Sequence, residues 1–164
     1  MRSVTANTHE AQRVGAPIRL AVDKLAPHLN RAMNALDRAV HEVGLERSLV
    51  ELVKTRASQL NGCAYCVDLH TRNATEAGED QRRLHSLAVW RASPYFTARE
   101  RAALALTEAA TKLTEGPVTD EVFAAAAAEL TEVELAELIW VITVINAWNR
   151  LGATARPWPL PDLD

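Results

Sequence analysis

Residues 51 to 70 read ELVKTRASQLNGCAYCVDLH, and this stretch prescribes a helix, a hard stop and a second helix. Leu49, Leu52, Val53, Arg56, Ala57 and Leu60 recur at helical spacing, which predicts a helix over Glu46 to Leu60. Asn61-Gly62 ends it, because glycine takes up the left-handed cap conformation without a Cβ penalty. A second helix can start at Cys63 and run toward Ala77, with Gly78 as its cap. A helix, a tight turn and a helix let the two segments lie side by side.

The same stretch contains the chain's only two cysteines, Cys63 and Cys66, spaced C-x-x-C. His70 follows Cys66 by four residues, and Glu51 precedes Cys63 by twelve. On the second helix positions 63, 66 and 70 are i, i+3 and i+7, so both sulfurs and the imidazole share one face. The cysteines fall in its first turn, where unpaired N–H groups and the helix dipole favour a thiolate. Two thiols, an imidazole and a carboxylate this close together point to thiol chemistry.

Other readings of these residues exist. A structural zinc pair needs two further ligands and the chain has no third cysteine, although a Cys63/Cys66/His70/Glu51 metal set is geometrically conceivable. The cysteines could be inert and buried, His70 an ordinary helix histidine, and Glu51 a solvated residue beside Lys54 or Thr55. The case for redox activity rests on the combination.

The run Glu51-Leu-Val, Arg56-Ala-Ser-Gln-Leu-Asn-Gly-Cys-Ala-Tyr-Cys and Asp68-Leu-His70 resembles the AhpD-like alkylhydroperoxidase family, within the carboxymuconolactone decarboxylase superfamily. The similarity is densest from about residue 45 to 110 and continues through Asn146-Ala-Trp-Asn-Arg150. The resemblance implies an all-α helical-bundle subunit that forms homotrimers or homohexamers. It also implies a site made of Glu51, Cys63, Cys66 and His70 that reduces hydroperoxides. No cofactor is implied beyond an external dithiol reductant, supplied by a dithiol electron-donor protein or a lipoyl group. One departure stands out: the best-studied branch has a relay histidine directly before the second cysteine, and here that residue is Tyr65.

In this scheme Glu51 orients His70, His70 takes the proton of Cys66, and Cys66 attacks the peroxide before Cys63 closes the disulfide. Positions i and i+3 at a helix start stand about 5–6 Å apart at Cα, within disulfide reach. The dipole favours Cys63 as the more acidic thiol while His70 favours Cys66, so the order of attack could be reversed. Two further readings compete. A lactone decarboxylase or isomerase needs no cysteine pair, and a redox-sensing oligomer would use the pair without turnover.

The rest of the chain sets bounds. At 164 residues, 48% apolar and 24% charged, it is sized for one domain with a substantial core. A net charge of −3 without a lysine or arginine cluster argues against nucleic acid. MRSVTANTHEAQRVG has no apolar signal region, and Leu138 to Trp148 is too short for a bilayer, so a cytoplasmic, membrane-free protein is expected.

The expected organisation is a polar arm over 1–15, a helical domain over 16–155 and a proline-rich tail over 156–164. Pro17 to Ala26 is read as a short helix. Pro27 opens another that buries Leu29, Met33, Leu36 and Val40, ends at Gly44 and leaves His28 and His41 solvated. Asp80 caps a helix with Leu84 and Leu87, and His85 falls off its stripe. Thr97–Glu100 and Thr131–Glu134 are capping boxes opening helices to about Leu113 and Arg150, with Thr119 capping Asp120 to Glu129 between them. The last helix is apolar nearly all round, so it should be central or at a subunit interface, with Asn146, Asn149 and Arg150 capping its end or bridging to a neighbour. The tail, with Trp158 exposed, is expected to lie across another subunit of a homo-oligomer. No segment alternates with period two over a convincing length, so the fold class is all-α.

Overall fold

Pro27 and the two capping boxes open three of the helices and Gly62 closes another, as a computed structural model describing residues 15–161 shows. Residues 1–14 and 162–164 lie outside it, and with them nearly all of the expected arm and the end of the tail. The helices are α1 Val22–Leu25, α2 Pro27–His41, α3 Arg47–Asn61 and α4 Ala64–Glu76, followed by α5 Gln81–Ser86 and a 3-10 turn over Leu87–Ala92. Then come α6 Ala98–Thr111, α7 Asp120–Glu129 and α8 Glu132–Ala155. Every regular element among the described residues is helical, and they form one domain.

Local chemistry accounts for the ends. Gly62, at φ 66°, closes α3, its N–H donating to the Gln59 and Ser58 carbonyls. Thr97 and Thr131 each accept from the N–H three residues on, and Glu100 and Glu134 reach back to the cap. Asp80 accepts from Arg82 N–H at 2.7 Å. One expectation fails at the start. Only Val22–Leu25 is helical in the Pro17 to Ala26 stretch, because the Arg19 and Leu20 N–H groups donate to Ala155 O, both at 3.1 Å. That strand of chain is strapped to the end of α8 instead of continuing into a ladder.

α4 folds back along α3, and α8 lies across α3, touching α2, α4, α6 and α7 as well. One core gathers Val40, Leu49, Val53, Leu106, Leu138 and Val141; a second holds Leu52, Ala74, Leu84, Leu87, Trp90 and Leu104. Glu108 on α6 joins the two regions by accepting from Arg56 Nε at 2.7 Å and Trp90 Nε1 at 2.9 Å.

α2 packs differently from its reading. Val40 is buried and Met33 packs on the core, but Leu29 is 62% and Leu36 39% exposed. The helix is rotated so that Asn30, Asn34, Asp37 and His41 face the interior hollow described below. α8 is central along Leu138, Val141, Ile142, Val144 and Ile145, yet Val133 and Trp140 on its other side are 68% and 55% exposed. It also continues past Arg150 to Ala155, where Arg156 takes the left-handed conformation at φ 44°. Asn61 Nδ2 donates to Asn146 Oδ1 at 2.9 Å and Asn149 Oδ1 at 3.0 Å, so these amides bridge to α3 of the same chain. No helix among the described residues is long and apolar enough to cross a membrane.

Candidate functional site

The α3–α4 hairpin positions all four sequence-predicted residues. Cys63, the expected start of the helix, is the N-cap of α4, which begins one residue later, and its Sγ accepts from Cys66 N–H at 3.3 Å. A disulfide joins Cys63 to Cys66 across a Cα separation of 5.3 Å, in the range expected for i and i+3. Both are buried, at 2% and 3% exposure.

Glu51 and His70 meet across the hairpin, with Nδ1 2.8 Å from Glu51 Oε2 and both side chains buried. Glu51 is therefore not a solvated partner of Lys54 or Thr55. Burial works against its ionisation, but the hydrogen bond with His70 and the pull of His70, Lys54 and His41 outweigh burial and hold the carboxyl below its usual value. An ionised Glu51 can only accept, so Nδ1 carries the proton of this hydrogen bond. Among the described residues, no three His, Cys, Asp or Glu side chains converge as metal ligands.

A pocket of about 340 Å³ lies over Cys66 and His70. Tyr65, Leu69, Ile145, Trp148 and Trp158 form an apolar wall; Asp23, Asn30, Asn34, Asp37 and His41 form a polar one. Cys66 lines this pocket, whereas Cys63 is turned toward α8.

Four features escape a reading of the sequence. His41 is exposed, as expected, but has an acidic neighbour: its Nε2 is 3.4 Å from Asp37 Oδ2, one turn earlier, and Asp37 Oδ1 accepts from Trp148 Nε1 at 3.2 Å. The i, i+4 spacing of Asp37 and His41 was the available signal. Gly152 lets α8 approach the disulfide, since a Cβ there would stand 2.5 Å from Cys63 Sγ and 3.4 Å from Cys66 Sγ. A lone glycine inside an apolar helix is its only mark in the sequence. Trp158 is not fully exposed: its ring is 5.1 Å from Tyr65 and 5.8 Å from Trp148, so this part of the tail closes over the chain's own pocket. The fourth is Lys54, 1% exposed, one turn beyond Glu51.

The model of the carboxymuconolactone decarboxylase family matches residues 27–109. The uncharacterized protein YdfG of Bacillus subtilis (strain 168) is 32% identical over 134 residues, 82% of this chain and 91% of YdfG. The uncharacterized protein YnjA of Escherichia coli (strain K12) is 35% identical over 102 residues, 62% of this chain and 56% of YnjA. Among solved structures, ATU0492 of Agrobacterium tumefaciens superposes with a TM-score of 0.85 at 34% identity, covering 88% of this chain and 100% of that one. It is described as a protein of unknown function, and its name links it to antioxidant defence and AhpD. The debrominase Bmp8 shares the fold at a TM-score of 0.74 and 22% identity, over 81% of this chain and 72% of Bmp8. The hairpin, its cysteine pair and these likenesses agree: the chain belongs to the carboxymuconolactone decarboxylase family, as an AhpD-like member.

Proposed function

We propose that the protein is a thiol-dependent peroxidase and disulfide oxidoreductase that reduces hydroperoxides through Cys63 and Cys66. The observation that carries this reading is that Cys66 and His70 line one pocket while His70 is anchored from behind by a buried carboxylate, Glu51. In the reduced protein His70 Nε2 takes the Cys66 proton, and the thiolate attacks one peroxide oxygen. The O–O bond breaks, Cys66 becomes a sulfenic acid, and the departing alkoxide takes a proton to leave as alcohol. The Cys63 thiol then displaces water from the sulfenic acid, which forms the disulfide. Pocket access favours Cys66 as the sulfur attacked first.

Reset needs an external dithiol, from a donor protein or a lipoyl group, and no resident cofactor or metal. Its thiolate attacks Cys66 Sγ from the pocket, and Cys63 leaves as a thiolate at the N-cap of α4, where N–H groups and the dipole stabilise it. The second thiol of the donor displaces Cys66 and carries away the disulfide. Tyr65 stands where the best-studied branch has its relay histidine, and a phenol does not replace an imidazole in that relay, which favours thiol–disulfide exchange as the faster half of the cycle. The reading further takes the protein as a cytoplasmic homotrimer or homohexamer acting on neither nucleic acid nor membrane.

The test is turnover of several hydroperoxides with dithiothreitol or dihydrolipoamide. Wild type should turn over, and Cys66→Ser should not. Lactone decarboxylation that survives the Cys66→Ser change would identify the namesake chemistry instead, and no turnover of either kind would leave a redox-sensing oligomer.

A further inference from the structure

Lys54 is 1% exposed, and its Nζ has no hydrogen-bond partner among the described residues. Such a group is normally selected against, because an unpaired buried ammonium destabilises the fold and an apolar residue of similar volume often does better. Its location is not neutral, however. It lies one turn after Glu51 on α3, and the carboxylates it feels are Glu51 on its own helix and Asp37 from α2. Glu51 is bonded to His70, and Asp37 is held against His41 and Trp148. Lys54 thus lies, buried, one helical turn from the buried carboxylate that anchors His70.

We propose that Lys54 is a positioning residue: a buried cation that keeps Glu51 ionised and so fixes the protonation of the Glu51–His70 pair. Its effect on rate rests on the thiol-peroxidase reading, but the charge linkage can be measured without turnover. A carboxyl in a low-dielectric region resists ionisation and takes up a proton at a higher pH. A cation beside it offsets that penalty. Burial draws the Lys54 pKa down, while Asp37 and Glu51 draw it back up, and Lys54 in turn helps to hold Glu51 ionised. The ionisable groups facing this cluster are Asp37 and His41 from α2, Glu51 from α3, and Cys66 and His70 from α4; α8 presents Ile145 and Trp148 to the pocket, neither of which titrates there. A protonated Glu51 could no longer accept from Nδ1 and would release His70 from its orientation.

The experiment compares wild type with Lys54→Met. Glu51 is followed by its carboxyl carbon-13 signal, identified by its loss in Glu51→Gln, and Cys66 by the pH profile of alkylation of the reduced protein. In Lys54→Met the Glu51 midpoint should rise by about one pH unit, the alkylation profile should move alkaline, and the rate at neutral pH should fall by about tenfold. The Tm should hold or rise, and in a Glu51→Gln background the same substitution should shift the profile far less. An unmoved Glu51 midpoint overturns the proposal. So does a lowered Tm with an unchanged profile, which is the mark of a merely structural lysine. Should Lys54→Met fail to fold, Lys54→Gln is judged by the same two titrations. Absent peroxide turnover in wild type would sink the peroxidase reading and leave the carboxyl titration as decisive as before.

Discussion

Replacing Gly152 with alanine sets two effects against each other at one position. Alanine in a helix interior is favoured over glycine by about 0.8–1.0 kcal/mol. Here the added Cβ would lie 2.5 Å from Cys63 Sγ, and overpacking of that kind costs about 1–3 kcal/mol. Gly152→Ala should therefore be net destabilising in urea unfolding, and more so with the disulfide closed than after reduction, when the Cys63 side chain can rotate away. His70→Ala and Glu51→Gln should fold normally by circular dichroism while peroxide turnover falls by on the order of 10²–10⁴. Turnover at the wild-type rate in both would show that the helix terminus alone activates Cys66. Glu51, Cys63, Cys66 and His70 were legible because their identity and spacing are local. Lys54 was not, because a charged residue reads as solvated until tertiary packing buries it, and the place of Asp37 and His41 at the pocket was not, because it depends on how α2 is turned.

Among the elements, α8 begins with a device whose pH response can be signed. Arg99 and the Thr131 cap hold the Glu134 carboxyl down from 4.5 to about 2. Because the folded value is depressed, the contribution is complete above the unfolded value of about 4.5 and fades as pH falls toward 2. Glu134→Gln should thus unfold more easily than wild type at about pH 5 in urea, and the difference should vanish near pH 2; a gap that persists at the acid end would contradict it. Helix ends of this sort were written in the sequence, since capping boxes and Asn61-Gly62 act over three or four residues. The facing of α2 was not. An apolar stripe of Leu29, Met33, Leu36 and Val40 predicts its own burial, but the neighbouring Asn30, Asn34, Asp37 and His41 line the pocket. That choice depends on what the hollow over Cys66 requires, and periodicity carries no information about it.

For the whole molecule, the rotation of α2 leaves Leu29 exposed, Leu25 of α1 and the preceding Ile18 and Leu20 are exposed as well, and α8 leaves Val133 and Trp140 uncovered. Surfaces like these mark association sites in soluble proteins. Light scattering should give three or six times the 18.0 kDa chain mass, and glutamates at Leu25 and Leu29 should reduce it. A species of 18.0 kDa at micromolar concentration would count against assembly. The closing of Trp158 over Tyr65 and Trp148 has a separate consequence. Two of the chain's four indoles sit beside the sulfurs, and a disulfide quenches a neighbouring indole by accepting its excited electron, more strongly than two thiols do. Opening the pair should brighten the intrinsic emission, so the oxidation state of this molecule can be read as light, in real time and without a label.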